Sequence, residues 1–175
     1  MKQLISGGAR SGKSRLAQQR AREWQQAGGG QVVVIATARA DDSMAERIAH
    51  HQRHRPADWS LIEAQRDLAQ ALVSASGADT LVLVDCLTLW LANELFADDG
   101  DWPAAKAALL QCLSTLPGPV IFIGNEVGQG VVPLGESNRR FVDECGWLHQ
   151  HLGQRVDRVT LTIAGLPLEL KGESR

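Results

Sequence analysis

The stretch GGARSGKS, residues 7–14, decides the fold of this 175-residue chain. It fits the pattern G-x-x-x-x-G-K-[S/T], and it stands between the short predicted strand KQLIS and a helical pattern at residues 13–26. Small residues let the backbone turn back so that successive N–H groups converge on phosphate oxygens, and the following helix adds the positive end of its dipole. The motif predicts a nucleotide-phosphate loop. It does not decide between a kinase, a motor and a switch.

Outward from this loop, apolar strands alternate with helices along the whole chain. The predicted strands are 2–6, 31–38, 80–85, 119–128 (running into a Gly-rich loop) and 157–165, the last of the chain, and the predicted helices are 13–26, 41–54, 66–75, 88–96, 104–116 and 138–152, with a loop at 97–103. This alternation predicts an α/β fold: a three-layer, mostly parallel sheet flanked by helices, of the P-loop NTPase type. We expect a single domain over residues 1–175.

Composition excludes several classes of protein. The net charge of −2 provides no general basic field for nucleic acid, and no apolar run approaches the ~20 residues of a membrane span. The first ten residues lack the apolar core of a signal peptide, so we expect a cytoplasmic protein. Cys86, Cys112 and Cys145 are too far apart for a CxxC site, which favours small buried thiols in a reducing compartment.

A Mg²⁺ site is predicted beside the phosphate loop. In this motif Lys13 holds the outer phosphates and Ser14 ligates the metal. Asp85 follows four apolar residues of the strand TLVLVD, where a carboxylate reaches the carboxyl edge of the sheet near the loop. The alternative is that Asp85 only caps the next helix.

Three of the five histidines lie in RIAHHQRHR, residues 47–55. His50 and His54 have the i, i+4 spacing of a metal pair, but Arg47, Arg53 and Arg55 would surround a cation with cations. These arginines suit a polyanion better. A neutral imidazole can also act as a proton carrier or attack phosphorus and hold a nucleotidyl group. The residues alone leave these interpretations open beside that of a solvated helix.

The longer segments resemble one family. GGARSGKS, IATARADDSMAERIAHHQRHRP, the downstream Trp59 and Glu63, LVDCLTLWLAN and NEVGQGVVP are together similar to the bifunctional adenosylcobinamide kinase / adenosylcobinamide-phosphate guanylyltransferases of cobalamin biosynthesis. The resemblance implies phosphorylation of adenosylcobinamide with ATP or GTP. It also implies transfer of GMP from GTP to adenosylcobinamide phosphate through a guanylylated histidine, which matches His50 here.

The resemblance also implies roles for further residues. Thr37, Ala38 and Arg39 would lie beside the nucleotide, although the segment up to Met44 is one residue shorter than in some relatives. Glu63 would accept hydrogen bonds from guanine. The implied nucleotide-binding residues are Gly7, Gly8, Ala9, Arg10, Ser11, Gly12, Lys13, Ser14, Thr37, Ala38, Arg39, His51, Gln52, Arg53, His54, Glu63 and Asp85, with Ser14 and Asp85 holding Mg²⁺.

Other interpretations compete with this one. A simple phosphate-loop kinase would leave the histidine cluster without a use. A GTPase switch commonly has Asn-Lys-x-Asp after a strand, where this chain has Asn125-Glu126-Val127-Gly128. A histidine-bound zinc protein would be recognised by metal analysis. The resemblance further implies a homotrimer. His149 and Gln150 stand where an Asn-Gln pair is common in the family, and we expect both on ordinary helix surface. The sequence does not indicate a role for His151.

Overall fold

In the computed structural model of the chain, residues 1–39 and 56–172 are described. They form seven strands and five helices. The strands are β1 (Lys2–Gly7), β2 (Gln31–Ala36), β3 (Ser60–Glu63), β4 (Thr80–Asp85), β5 (Val120–Asn125), β6 (Arg158–Ile163) and β7 (Leu166–Lys171), and the helices are α1 (Lys13–Gln26), α2 (Leu68–Ala75), α3 (Leu87–Leu95), α4 (Trp102–Cys112) and α5 (Glu136–Arg155). The helix predicted at 41–54 lies outside the described residues.

The strands form one sheet in the order β3–β2–β4–β5–β1–β6–β7. Each neighbouring pair is parallel except β6 and β7, which are antiparallel. The mostly parallel α/β sheet predicted from the sequence is therefore confirmed. β1 lies inside the sheet between β5 and β6, whereas β3 and β7 form its two edges.

The sheet is covered on both faces, because side chains alternate along each strand. Leu81 and Leu83 of β4 belong to a cluster with Ala17 and Ala21 of α1, while Val82 and Val84 belong to the cluster on the other face. That second cluster contains buried residues of α2, α3, α4 and α5, among them Leu72, Trp90, Leu109, Cys145 and Leu148. The predicted flanking helices thus form the outer two layers.

Edge strands are the elements that the pattern does not predict. The expectation that 157–165 is the last strand is wrong: the chain turns at Ala164 and Gly165 and returns as β7, whose side chains are mostly exposed. β7 has a proline at position 167, which an edge strand tolerates. β3 is only four residues long and partly exposed, so it lacks the apolar run by which the interior strands are recognised.

Helix α4 includes two residues that were predicted to form a loop. Trp102 and Pro103 are the first residues of α4 and not part of a loop. The Asp101 side chain accepts a hydrogen bond from Ala104 N at 3.0 Å, and proline suits the first turn because its missing N–H has no intrahelical partner there. Trp102 is thereby buried, edge-on against Trp90 at 5.2 Å between ring centroids.

Candidate functional site

The predicted phosphate loop lies where β1 ends and α1 begins. Gly8, Ala9 and Arg10 are exposed, and the backbone is left-handed at Arg10 (φ 55°) and Gly12 (φ 99°). Helical hydrogen bonding starts with Leu16 N to Gly12 O at 3.0 Å, so the N-terminus of α1 and its dipole end at the loop. These are the local features with which the N-terminus of a helix favours an anion.

Lys13 is buried in spite of its charge. Its side chain lies across the loop and Nζ donates to the Gly8 carbonyl at 2.6 Å. Ser14 follows in the first turn of α1 and is half-buried. A buried ammonium requires polar partners, and the phosphate oxygens of a nucleotide are the partners for which this motif is built.

Asp85 ends β4, in register with Ala36 on β2 and Ile123 on β5. It is half-buried at the carboxyl edge of the sheet, the edge at which β1 runs into the phosphate loop. β4 and β1 are separated by β5 alone. The placement of Asp85 is the one expected for a carboxylate that shares a metal with Ser14, and carboxylate and hydroxyl oxygens are ligands that Mg²⁺ accepts.

Thr37 joins the ends of two strands. Its Oγ1 donates to the Cys86 carbonyl at 2.7 Å and accepts from Cys86 N at 2.9 Å, and its own N–H donates to Asp85 O at 3.1 Å. Asn93 Nδ2 donates to the Thr37 carbonyl at 2.8 Å. Thr37 is fully buried, and it ties the end of β2 to the end of β4 through its side chain at Cys86 and its backbone N–H at Asp85.

The remaining described site residues lie towards the β3 edge. Ala38 is half-buried and Arg39 exposed, directly after Thr37. Glu63 ends β3, is exposed, and is in register with Ala36. Four strand spacings separate β3 from β1, which is roughly 19 Å. Glu63 therefore belongs to a different part of the sheet edge from the phosphate loop.

Trp59, which accompanies Glu63 in the sequence pattern, is a core residue. It is 4% exposed and its Nε1 donates to Gln25 Oε1 on α1 at 3.1 Å. His50, His51, Gln52, Arg53 and His54 lie outside the described residues. The segment that contains them connects the end of β2 to β3, the strand that carries Glu63.

Asn125 and Glu126, for which no site role was predicted, form a polar cluster at the end of β5. Glu126 N donates to Gly7 O at 2.9 Å, next to the phosphate loop, and Glu126 Oε1 accepts from Gly128 N at 2.9 Å. Asn125 N donates to Thr88 Oγ1 at 2.7 Å. The signal was present: Asn125 and Glu126 follow a buried strand, which is the same feature that identified Asp85.

His149 lies behind this cluster, so the expectation of ordinary helix surface is wrong for it. Its Nε2 is buried against Gly124 and has no hydrogen-bond partner among the described residues. Burial lowers the pKa of His149, and the Glu126 carboxylate only partly offsets that effect. The imidazole is therefore neutral near pH 7. Gln150 is exposed as expected, whereas His151 Nδ1 is buried.

The cysteines are free thiols, as expected. Cys86 and Cys145 are buried and Cys112 is half-buried, and burial raises the pKa of Cys145 to about 12. Residues 1–39 and 56–172 contain no group of three or more His, Cys, Asp or Glu side chains that could hold a metal by themselves. In the same part of the chain, no helix is long and apolar enough to cross a membrane.

Comparison with known proteins adds relatives over the full length. A family model described as cobinamide kinase / cobinamide phosphate guanyltransferase matches residues 3–170. The bifunctional adenosylcobalamin biosynthesis protein CobP of Pseudomonas aeruginosa is 54% identical over 175 residues, 99% of each chain. The bifunctional adenosylcobalamin biosynthesis protein CobU of Salmonella typhimurium is 35% identical, covering 96% of this chain and 98% of its own.

Solved structures are similar in fold alone. The flagellar accessory protein FlaH of Methanocaldococcus jannaschii superposes with a TM-score of 0.51 at 15% identity, covering 98% of this chain and 78% of that one. A solved ATPase domain also gives a TM-score of 0.51, at 14% identity, covering 91% and 68%. The P-loop NTPase type of fold predicted from the sequence is thereby confirmed.

Proposed function

The chain belongs to the cobinamide kinase / cobinamide phosphate guanyltransferase family, and from this premise we propose how its residues divide the two reactions. It is a transferase of adenosylcobalamin biosynthesis that uses nucleotides and cobinamide substrates. The interpretations as a simple kinase, a GTPase switch or a zinc protein are set aside by that membership. The phosphate loop is assigned to the kinase reaction and His50 to guanylyl transfer.

The observation that carries the kinase assignment is the buried Lys13 in the loop between β1 and α1. The cobinamide hydroxyl attacks the γ-phosphorus of ATP or GTP, the new O–P bond replaces the bond to the β-phosphate oxygen, and the nucleoside diphosphate leaves. Charge that develops on the transferring group is met by the Lys13 ammonium and by the N-terminus of α1.

Mg²⁺ is part of the proposal. Ser14 and Asp85 would hold it, and their hydroxyl and carboxylate oxygens fit a hard cation that takes its other ligands from phosphate and water. When bound, the metal neutralises charge on the outer phosphates. Thr37 assists by fixing the backbone of Asp85 and Cys86.

Guanylyl transfer is assigned to the carboxyl ends of β2 and β3 together with the segment that joins these strands, a region called here the β2–β3 edge. A ring nitrogen of His50 attacks the α-phosphorus of GTP and pyrophosphate leaves, which gives a phosphoramidate. The phosphate of adenosylcobinamide phosphate then attacks that phosphorus, forming adenosylcobinamide-GDP and releasing the imidazole. Glu63 binds guanine, and the other nucleotide contacts come from Ala38, Arg39, His51, Gln52, Arg53 and His54. The exposed position of Glu63 at the end of β3, where the segment containing His50 rejoins the sheet, supports this assignment.

The decisive experiment follows the GMP group. The protein is incubated with GTP labelled at the α-phosphate and denatured, and acid-labile, base-stable label on the protein is measured. We expect His50→Ala to abolish the label and guanylyl transfer while kinase turnover stays measurable. His51→Asn is the matched control and should retain the label. Label that survives in His50→Ala and disappears in His51→Asn would identify His51 as the nucleophile. Label that is unchanged in both variants would contradict a nucleophilic role for this histidine cluster.

We also propose a homotrimer in the cytoplasm. Apolar side chains are exposed at Val131 (97%) and Leu134 (90%) and along the edge strand β7 at Leu166 (70%), which suits contact with other copies of the chain. The three free thiols suit a reducing compartment. Sedimentation equilibrium tests the assembly: a monomer at micromolar concentration would contradict it.

A further inference from the structure

The β6–β7 hairpin lies directly against the phosphate loop. Its turn residues Ala164 and Gly165 are both left-handed, with φ of 52° and 81°. Gly165 N donates to the Ser11 carbonyl at 3.0 Å, and Arg15 Nη2 on α1 donates to the Gly165 carbonyl at 3.3 Å. The turn is thus hydrogen-bonded to the loop on one side and to the first turn of α1 on the other.

A second contact joins buried side chains. Thr162 Oγ1 lies 2.7 Å from Ser11 Oγ, and it donates to the Ser6 carbonyl at 3.2 Å. Because the Thr162 hydroxyl has one proton and gives it to Ser6, the Ser11 hydroxyl is the donor in the shorter bond. Thr162 is 2% and Ser11 8% exposed, so neither hydroxyl has bulk water as an alternative partner. Ser11 is therefore held by the hairpin through both its side chain and its carbonyl.

The hairpin also explains two glycines of the motif. A Cβ at Gly7 would collide with the side chains of Thr162 and Ser11, and a Cβ at Gly12 would come within 3.2 Å of Gly165 Cα. Both ends of the loop are consequently packed against β6 or the turn. At Gly7 and Gly12 there is therefore no room for a further side chain between loop and hairpin.

The base of the hairpin is fixed to α1 as well. Glu169 on β7 pairs with Arg20 of α1 and with Arg158 of β6, and it accepts from Thr160 Oγ1 at 2.8 Å. Burial alone would raise the pKa of Glu169, but its bonds to Arg158 and Thr160 and the charge of Arg20 lower it to about 2. The hairpin is thus attached to α1 at two places: at Arg15, near the start of the helix, and at Arg20, further along it.

We propose that this hairpin positions the phosphate loop for nucleotide, with Thr162 as the positioning residue. The inference rests on the proposed function, which assigns nucleotide phosphates to the loop. Phosphate recognition by backbone N–H groups depends on their directions, and an error of about 1 Å in placement costs up to about a hundredfold in rate. Thr162 fixes Ser11, whose backbone lies immediately before Gly12 and Lys13, so loss of its hydroxyl should misplace the loop more than it unfolds the protein.

The experiment compares three variants of β6. Thr162→Val removes the hydroxyl at nearly constant volume, and Thr162→Ser keeps it. Thr160→Val is the matched control, because it removes another buried hydroxyl of the same strand that contacts Arg20 and Glu169 and not the loop. ATP affinity is measured by calorimetry, kinase KM and kcat by steady-state kinetics, and stability by thermal unfolding.

We expect Thr162→Val to weaken ATP binding and raise KM about tenfold, and Thr162→Ser to stay within about threefold of the parent. Thr160→Val should lower Tm through the contacts with Arg20 and Glu169, and it should weaken ATP binding less than Thr162→Val because Thr160 does not contact the loop. If Thr162→Val lowers Tm like the control but binds ATP normally, the hairpin is only structural and the inference is overturned. If Thr162→Val does not fold, Ser11→Ala replaces it with the same expected loss and the same overturning result.

A third measurement separates this inference from its premise. Lys13→Ala should abolish ATP binding if the loop holds phosphates. Normal ATP affinity in Lys13→Ala would overturn the assignment of the loop, and with it the role of the hairpin. Loss of ATP affinity in Lys13→Ala together with normal affinity in Thr162→Val and Ser11→Ala would overturn the hairpin inference alone.

Discussion

The phosphate loop and the β2–β3 edge lie on the same edge of one sheet, roughly 19 Å apart, and they are supported differently. The loop follows an interior strand, and its residues Ser11 and Lys13 are buried and bonded to β6, to the turn or to the loop itself. Glu63 ends a four-residue edge strand and is exposed. In the proposed mechanism the two regions therefore hold the nucleotide in different ways. For phosphoryl transfer the phosphates bind to a loop that the surrounding fold keeps in position. For guanylyl transfer the GMP group is held by a covalent bond to His50.

The largest effect is expected for Lys13→Ala, which tests whether the phosphate loop and the β2–β3 edge act separately. We expect kinase kcat/KM to fall on the order of 10³-fold, because a buried charge is lost where phosphate charge develops. The His50 adduct should be affected much less if the two regions act separately. Lys106→Ala is the control, since Lys106 is also a partly buried ammonium, paired with Glu144 at 2.8 Å, but lies on α4.

Kinase turnover and GMP labelling of Lys13→Ala can each contradict the proposed separation of the two regions. If GMP labelling falls as far as kinase turnover, both reactions draw on the same bound nucleotide and the two regions are one site. If kinase turnover is unchanged, the loop is not where phosphoryl transfer takes place.

The next prediction concerns the support of the loop. The pKa of Glu169 is about 2 against an ordinary 4.5, so its ion pairs stabilise the fold above pH 4.5 and this stabilisation is lost as the pH falls towards 2. The shift corresponds to at most about 3 kcal/mol of the free energy of unfolding, and solvent screening of these partly exposed ion pairs reduces that contribution. Urea denaturation of the parent and Glu169→Gln at pH 7, 4 and 3 should show a difference that shrinks with acid.

Hydrogen exchange sharpens the same prediction. In Glu169→Gln, amides of residues 7–14 should lose more protection than those of β3, because Glu169 is attached to α1 and not to the β3 edge. A stability difference that does not change with pH would mean that Glu169 acts by packing. Equal loss of protection in both regions would mean that the two supports are not independent.

A smaller effect is expected at the β3 edge. Glu63→Gln removes a charged acceptor for guanine, so the preference for GTP over ATP in GMP or AMP labelling should fall about tenfold. Asp79→Asn serves as control, because Asp79 is an exposed acid that directly precedes β4, at the amino end of that strand and not at the carboxyl end of β3. An unchanged nucleotide preference would show that Glu63 does not bind guanine and is an ordinary surface residue.

The smallest effect is expected at His149. Burial lowers the pKa of His149, so the folded protein favours the neutral imidazole. The free energy of unfolding should therefore be at its full value above pH 6.5. It should decrease as the pH falls below 6.5, because the unfolded chain then binds a proton at this histidine. His149→Gln should remove this pH dependence in thermal unfolding between pH 7.5 and 5.5. A parent and variant with parallel pH profiles would show that His149 does not titrate within the fold.

The two regions also differ in how far the sequence predicts them. Residues 7–14 predict a phosphate loop because local backbone chemistry demands those residue types at that spacing, and the apolar runs of β1, β2, β4 and β5 predict interior strands. Nothing local in Ser11 or Thr162 indicates that they touch, since the contact depends on β6 returning beside β1. The edge strands β3 and β7 carry too little apolar pattern, and the buried state of His149 depends on packing between α5 and β5.

The place of β1 between β5 and β6 has a consequence for biosynthesis. Residues 7–14 leave the ribosome long before either neighbour of their strand exists, and the Ser11–Thr162 contact spans 151 positions of the chain. A nascent or truncated chain that ends before β6 therefore contains residues 7–14 but lacks Thr162 and Gly165, to which Ser11 is bonded in the folded protein. This long-range contact can therefore form only when synthesis of the chain is nearly complete.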